Sequence, residues 1–134
     1  MDVAVTDAHV LIWGTTGHLR KLGSAARAFY ARVEKGNAAL YVPTHVLLEI
    51  GEAHAEGDIT FRSTSFEQWV RDLASSGRYV PVDLTVEVVL RAQRFYQIPE
   101  RGDRIAAATA SVHECPLITR DPAIGLASGV EILW

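Results

Sequence analysis

The stretch GDRIAAATASVHECPLITRD, residues 102–121, decides how the rest of the chain is read. It runs from an alanine-rich segment of helical character into the short apolar run PLIT at 116–119, and it carries an aspartate at each end. Asp103 opens the helix and Asp121 leaves the strand. A helix that feeds a parallel strand begins at the rim where the strands end. Both acids therefore share one rim, provided the sheet is parallel.

The flanking sequence predicts such a sheet. VAVTD at 3–7 is a β-branched run ending in an acid, AALYVP at 38–43 is a second short apolar strand, RYVPVD at 78–83 a third, PLIT the fourth and VEILW at 130–134 the fifth. Helical spacing fills the intervals. AHVLIW follows the first strand, SAARAFYARVEKG has Ser24 as its predicted N-cap and Gly36 beyond its end, and HVLLEIGEAHAEG has Thr44 as cap and Gly57 as stop. In that last helix Val46, Leu47, Ile50 and Ala53 form one apolar face. Residues 65–74 are a less sharply patterned helix, and TVEVVLRAQRF is a helix capped by Thr85 with Glu87 in its first turn. Short apolar strands alternating with helices predict an α/β fold whose mostly parallel sheet is covered on both faces. No internal repeat or linker interrupts it, so residues 1–134 read as a single domain.

Bulk properties narrow the class. Hydrophobic residues make up 49% and charged residues 22%, a globular composition. No apolar run approaches the roughly 20 residues of a membrane span, and no basic region followed by an apolar run marks a secretory leader, so a cytoplasmic location and no membrane partner are expected. Cys115 is alone, which excludes an internal disulfide and a cysteine-based zinc cluster; it reads as a small core residue. A formal charge of −3 does not mark a chain that grips nucleic acid by overall electrostatics. Eleven of the thirteen basic residues are nonetheless Arg, the side chain suited to bidentate phosphate contacts.

Ligands of an open parallel sheet sit beyond the carboxyl ends of its strands. Asp7 ends the first strand and Asp121 falls just past the fourth. Glu49 lies in the helix after the second strand, beside its apolar face on the edge shared with His45 and Glu52. Each acid has an ordinary reading: Asp7, Asp103 and Asp121 as helix caps, the last with Pro122 at the first helical position, and Glu49 as a solvated helical side chain. Their convergence on one rim is what a site requires. Four carboxylates in one hollow repel one another unless a cation lies between them. Oxygen-only ligands favour Mg²⁺ or Mn²⁺ over zinc, and such a site suits phosphodiester hydrolysis.

In order and approximate spacing, VTDAHVLIW, VLLEIGEA, GDRIAAATA and PLITRDPAI…VEILW resemble the motifs of PIN-domain ribonucleases, particularly the VapC-type toxins of toxin–antitoxin pairs. The resemblance spans nearly the whole chain. It implies a three-layer α/β/α sandwich with a five-stranded, mostly parallel sheet, and an acidic pocket for Mg²⁺ or Mn²⁺. Asp7, Glu49 and Asp103 match the three most constant family acids and Asp121 the more variable fourth. Thr6 and Thr119 stand where small hydroxyl residues assist the pocket. The resemblance also implies an RNA substrate, a homodimer, and a cognate antitoxin whose tail reaches the acidic cleft. Two departures touch no carboxylate: ERGD replaces the usual approach to the third acid, and Ala8 stands where Thr or Ser is commoner.

Arg101, Arg104 and Arg120 flank the late acids, where they could clamp substrate phosphates or pair with acidic neighbours. His9 reads as a packed or capping histidine, and His18, His45, His54 and His113 show no zinc-like pairing. Trp13, Phe29, Tyr30 and Trp69 read as core or dimer contacts rather than base-stacking platforms. Two function expectations follow: a Mg²⁺- or Mn²⁺-dependent endoribonuclease that is the toxin of a type II pair, or a catalytically silent PIN-like module binding RNA or a protein. A haloacid-type phosphatase is excluded because His9 stands where its second aspartate would be, and a receiver domain because no lysine follows Lys35.

Overall fold

In the computed structural model, which describes residues 2–134, the first strand, β1 (Asp2–Thr6), lies at the centre of a five-stranded sheet. It leads through Asp7 into α1 (Ala8–Thr15), and a single 3-10 turn, Leu19–Lys21, joins that helix to α2 (Ser24–Glu34). Then come β2 (Ala38–Pro43), α3 (Thr44–Ala55), α4 (Phe66–Ser75), β3 (Tyr79–Val82) and α5 (Val86–Gln93). The chain closes with α6 (Arg101–Val112), β4 (Leu117–Ile118), α7 (Pro122–Ser128) and β5 (Ile132–Leu133). Strand order is β3-β2-β1-β4-β5 and every pairing is parallel, as the alternating pattern predicted.

Strand alternation builds two cores. In β1, Ala4 packs into the cluster formed with α1, α2 and α3, and its neighbour Val5 into the cluster formed with α5, α6 and α7. Ile118 and Leu117 of β4 divide the same way. Side chains of a strand point alternately to opposite faces, so a sheet whose consecutive residues are both fully buried must be covered on both sides. The result is the three-layer α/β/α sandwich. The alanines of α6 suit it to close packing: Ala106, Ala107, Ala108 and Ala110 are all buried, and Thr109 hands its hydroxyl proton to the Ile105 carbonyl at 2.7 Å.

Local details depart from expectation for tertiary reasons. Ser24 is the first residue of α2 rather than its cap; Gly23 holds the cap position, where a Cβ would overlap the Trp134 backbone. The exposed N–H of Ala25 donates instead to the Trp134 carbonyl at 3.0 Å. Thr44 likewise enters α3 directly, with Pro43 before it and no side-chain cap. Ser65 and Thr85 do cap α4 and α5. The last two strands keep only two paired residues each, fewer than the apolar runs at 116–119 and 130–134 suggested. Cys115 is half-buried against the second core, and burial pushes its thiol up to about 11.

Tyr30 anchors the first core beneath the end of β1. It is fully buried, and its hydroxyl lies 3.0 Å from Thr6 Oγ1. Thr6 Oγ1 donates to the Asp7 carbonyl, so the Tyr30 hydroxyl is the donor to Thr6. The tyrosine ring occupies the space a side chain at Gly14 would need: a Cβ there would overlap Tyr30 Cε1 and come within 2.6 Å of Cδ1. Alanine would gain about 1 kcal/mol of helix propensity, yet overpacking against a ring that cannot move costs about 1–3 kcal/mol. Gly14→Ala is therefore expected to lower the melting temperature by several degrees. A calorimetric scan giving a value at or above wild type would show that the Tyr30 ring yields.

Candidate active site at the carboxyl rim

The chain passes from β1 outward to β2 and β3, then returns to add β4 on the other side of β1. Loops leaving β1 and β4 therefore depart on either side of a topological switch point, the usual ligand crevice of an open parallel sheet. Asp7 leaves β1 in extended conformation and Asp121 follows β4 after two residues. Both are helix caps, as the ordinary reading had it: Asp7 Oδ1 accepts the Val10 N–H at 2.9 Å, and Asp121 Oδ1 accepts the Ala123 N–H at 2.9 Å. Capping fixes where these carboxylates point. It does not take them out of the site, for Asp7, Asp103 and Asp121 line one hollow of about 420 Å³.

Asp103 enters from the first turn of α6, whose cap position is held by Glu100 without a side-chain bond. Glu49, half-exposed on α3, lines an adjoining hollow but reaches across to α6. A Cβ at Gly102 would overlap Glu49 Oε1, so the carboxylate rests where only glycine leaves room. His45 braces the same junction, its Nε2 lying 3.1 Å from the Gly102 carbonyl. Burial lowers the His45 pKa and the Gly102 bond only partly offsets this. The imidazole is thus neutral at pH 7, donates through Nε2, and leaves a buried, unpartnered Nδ1. Its 3.8 Å approach to Glu49 Oε1 is accordingly not an ion pair.

Charge is crowded at this rim. Burial raises the Asp7 carboxyl pKa; the Val10 N–H, the Thr119 hydroxyl and the nearby His9 and Arg120 pull it back in part. Glu49 is raised by burial and then by the charges of Asp103 and Asp7. Asp103 is raised by burial and then by Glu100, Asp7 and Asp121. Mutual repulsion of this kind is what a cation relieves, and an all-oxygen donor set suits a hard divalent ion. Among the described residues, however, no three Asp, Glu, His or Cys side chains stand close enough together to hold a metal as they are oriented. Three of the acids share a hollow and the fourth lies in the adjoining one, all within one field but without converging on a point.

Not every expected residue arrives. Thr6 is fully buried with its hydroxyl turned to Tyr30, so it supports the floor under Asp7 and touches nothing in the hollow. Arg104 lies one position past Asp103 on α6 and does not line the hollow, whereas Thr119 and Arg120 do. Among the described residues none of Arg101, Arg104 and Arg120 forms an ion pair. His9 is exposed, lines both hollows and lies close enough for its charge to act on Asp7, Glu49 and Asp103, which corrects its reading as a packed residue. Trp13 stands beside it on the pocket wall. Glu100 was also missed as a pocket residue; its signal was the spacing of ERGD, an acid three positions before Asp103.

Comparison with known proteins places this architecture. A chain of VapBC2 from Rickettsia felis, in a crystal structure bound to a DNA fragment from its promoter, superposes with a TM-score of 0.70 at 10% identity, covering 97% of this chain and 96% of that one. FitAcB from Neisseria gonorrhoeae gives 0.60 at 17% identity over 98% and 96%. A toxin–antitoxin complex from Klebsiella pneumoniae gives 0.58 at 19% identity over 91% and 89%. At such identities the likeness is one of fold. No curated protein matches the chain in sequence. The sequence model of the PIN domain matches residues 4–128, nearly the whole length, and the resemblance drawn from the four motifs is thereby borne out: the chain belongs to the PIN domain family.

Proposed function

We propose that this chain is a Mg²⁺- or Mn²⁺-dependent endoribonuclease of VapC type, the toxin of a type II toxin–antitoxin pair. The observation that carries the reading is the gathering of Asp7, Asp103 and Asp121 in one hollow at the switch point of a parallel sheet, with Glu49 in the adjoining one. Burial raises Asp7, Glu49 and Asp103, and charge raises two of them further: Glu49 through Asp103 and Asp7, and Asp103 through Glu100, Asp7 and Asp121. An antitoxin partner is supported by the similar solved structures, which are toxin–antitoxin assemblies in their own right. A homodimer is supported by apolar side chains left exposed along α5, among them Val86 and Leu90 at 73% and 59%. Among the described residues no helix is long and apolar enough to cross a membrane.

In this reading Asp7, Glu49 and Asp103 would hold the cation, directly or through water, and Asp121 would complete the pocket or orient the attacking water. A bound divalent ion supplies Lewis acidity at the phosphate and lowers the pKa of water. The protein supplies position. The cap to Val10 aims Asp7, Thr119 supports it, and His45 holds the α6 N-terminus against α3 so that Glu49 and Asp103 stay neighbours. Arg120 lines the pocket and among the described residues forms no ion pair, and in this reading it would meet a phosphate. The rival reading, a silent PIN-like module that binds RNA or a protein, draws on the lack of any three side chains already at metal-holding distance among the described residues.

Two experiments separate these readings. Asp103→Asn and Asp7→Asn are each expected to cut the Mn²⁺-dependent cleavage of single-stranded RNA at least about 100-fold, the scale for losing a group that stabilises developing charge, with unchanged circular dichroism. Undiminished cleavage by both variants would refute the site.

Melting temperatures supply the second test. A carboxyl whose folded pKa is raised contributes stability that is present below its unfolded pKa and lost as pH rises through the folded value. At pH 7.5 in EDTA the buried Asp7 charge therefore costs stability. Asparagine keeps the cap without that charge, so Asp7→Asn should melt a few degrees above wild type. Excess Mn²⁺ should raise the wild-type melting temperature, by about 2.7 kcal/mol of stability at 100 times Kd, and leave Asp7→Asn unmoved. The silent-module reading gains if Mn²⁺ shifts neither protein.

Gly102→Ala tests the junction alone. The added methyl displaces the end of a flexible Glu49 side chain, so the metal-free melting temperature should hold or rise. The Mn²⁺-induced shift should shrink and cleavage fall about 10-fold, as when a group that orients a metal ligand is lost. An unchanged shift would show that Glu49 works from elsewhere.

A further inference from the structure

His9 and Trp13 stand four residues apart on α1 with ring centroids 5.8 Å apart. Val10 and Leu11, buried in the first core, fix the rotation of the helix, so the exposed His9 and the half-buried Trp13, one side of which packs against that core, form a ridge along the rim. Both line the hollow of Asp7, Asp103 and Asp121 and also the adjoining one of Glu49, which makes the ridge the wall between them.

Two cations stand over the Trp13 ring. The Arg120 guanidinium lies 5.4 Å from its centroid and the Lys21 ammonium 5.6 Å. Both side chains belong to exposed residues, and among the described residues neither makes an ion pair. They come from separate parts of the chain, the turn after α1 and the loop between β4 and α7. An acidic hollow repels a polyanion; positive charge beside an aromatic face at its edge does the opposite.

We propose that Trp13, with Arg120 and Lys21, forms a subsite for one nucleotide of single-stranded RNA, its base against the indole and its phosphate between the two cations. The neighbouring phosphate of the strand would then lie in the acidic hollow. Single strands are specified because a base stacked within a duplex has no face to offer the indole, whereas base–aromatic stacking with a cationic track is how single strands are held. The choice of RNA rests on the nuclease reading above; the subsite itself does not require cutting.

The test uses the Asp103→Asn protein in Mg²⁺ with a fluorescein-labelled single-stranded RNA of mixed sequence, read by anisotropy. Trp13→Ala is expected to weaken binding about 5- to 100-fold, the range for losing one base–aromatic stack. Trp13→Phe should restore most of it, which separates stacking from misfolding. Arg120→Gln and Lys21→Gln should each weaken binding and lower the slope of log Kd against log salt by about 1. A duplex of the same sequence should bind more weakly than the single strand. Affinities of Trp13→Ala and Arg120→Gln within twofold of the parent would overturn the subsite and leave Arg120 as a merely packed guanidinium; so would a parent that does not bind the strand. Cleavage by wild type in Mg²⁺ or Mn²⁺ is scored separately. Its absence alongside these affinity losses would sink the nuclease reading and leave the subsite standing.

Discussion

Two residues of β4, locked in register against β1, hold the acidic rim together. Val5 pairs with Leu117 and Thr6 with Ile118, and the Val5 N–H donates to the Pro116 carbonyl at 2.8 Å. That short ladder sets Asp7 level with Thr119 and brings Asp121 to the same hollow. It is stiffer than its length suggests. A slip of one residue would exchange Leu117 and Ile118 between the two cores, each of which buries its partner completely. Hydrophobic burial on both faces of the sheet thus specifies, to within one residue, where the carboxylates stand.

The same geometry softens the repulsion it creates. Three helices begin at this rim: α1 at Asp7, α7 at Asp121, and α6 with Asp103 in its first turn. The N-terminal end of a helix carries partial positive charge and unsatisfied N–H groups, and an acid there gains about 0.3–1 kcal/mol. Capping and site membership are therefore cooperative roles for Asp7 and Asp121. In each, one carboxylate oxygen satisfies a backbone donor, and for the buried Asp7 that bond offsets part of the cost of burying its charge.

The fold was legible because its signals are local: β-branched runs ending in acids, alanine-rich helical spacing, and turn glycines such as Gly36 and Gly57, both at positive φ. The three aspartates were legible through topology, since a parallel sheet dictates which strand ends share a rim. What the sequence hid was set by contacts between distant segments. Ser24 lost its capping role to a carbonyl 110 positions away at Trp134, and Thr6 was drawn off the pocket by Tyr30. Glu49 could be put beside an apolar face by helical geometry, but the missing side chain at Gly102 explains how it comes against α6 and within range of the charge of Asp103. His9 misled for a related reason, whereas Trp13 packs against the first core as read and lines the hollow as well. An apolar helix of eight residues shows almost no amphipathic bias, so the pattern of AHVLIWGT does not say which side faces the core.

That ambiguity resolves through the length of α1 itself. The helix starts at the cap of Asp7, so its rotation is set from the acidic pocket, and Val10 and Leu11 seat it in the core within one turn. With both constraints applied, positions 9 and 13 must fall along the rim above the acids, whatever residues occupy them. An exposed histidine and a half-buried tryptophan there, with Arg120 and Lys21 gathered over the indole, give an acidic hollow the attractive margin it needs. A chain with net charge −3 can recruit a polyanion only by separating its charges over short distances, and the Debye length of about 8 Å at physiological salt requires the cations to stand at the very edge of the site. Of the eleven arginines, Arg120 is the one whose guanidinium meets that requirement, beside Asp121 on the pocket wall.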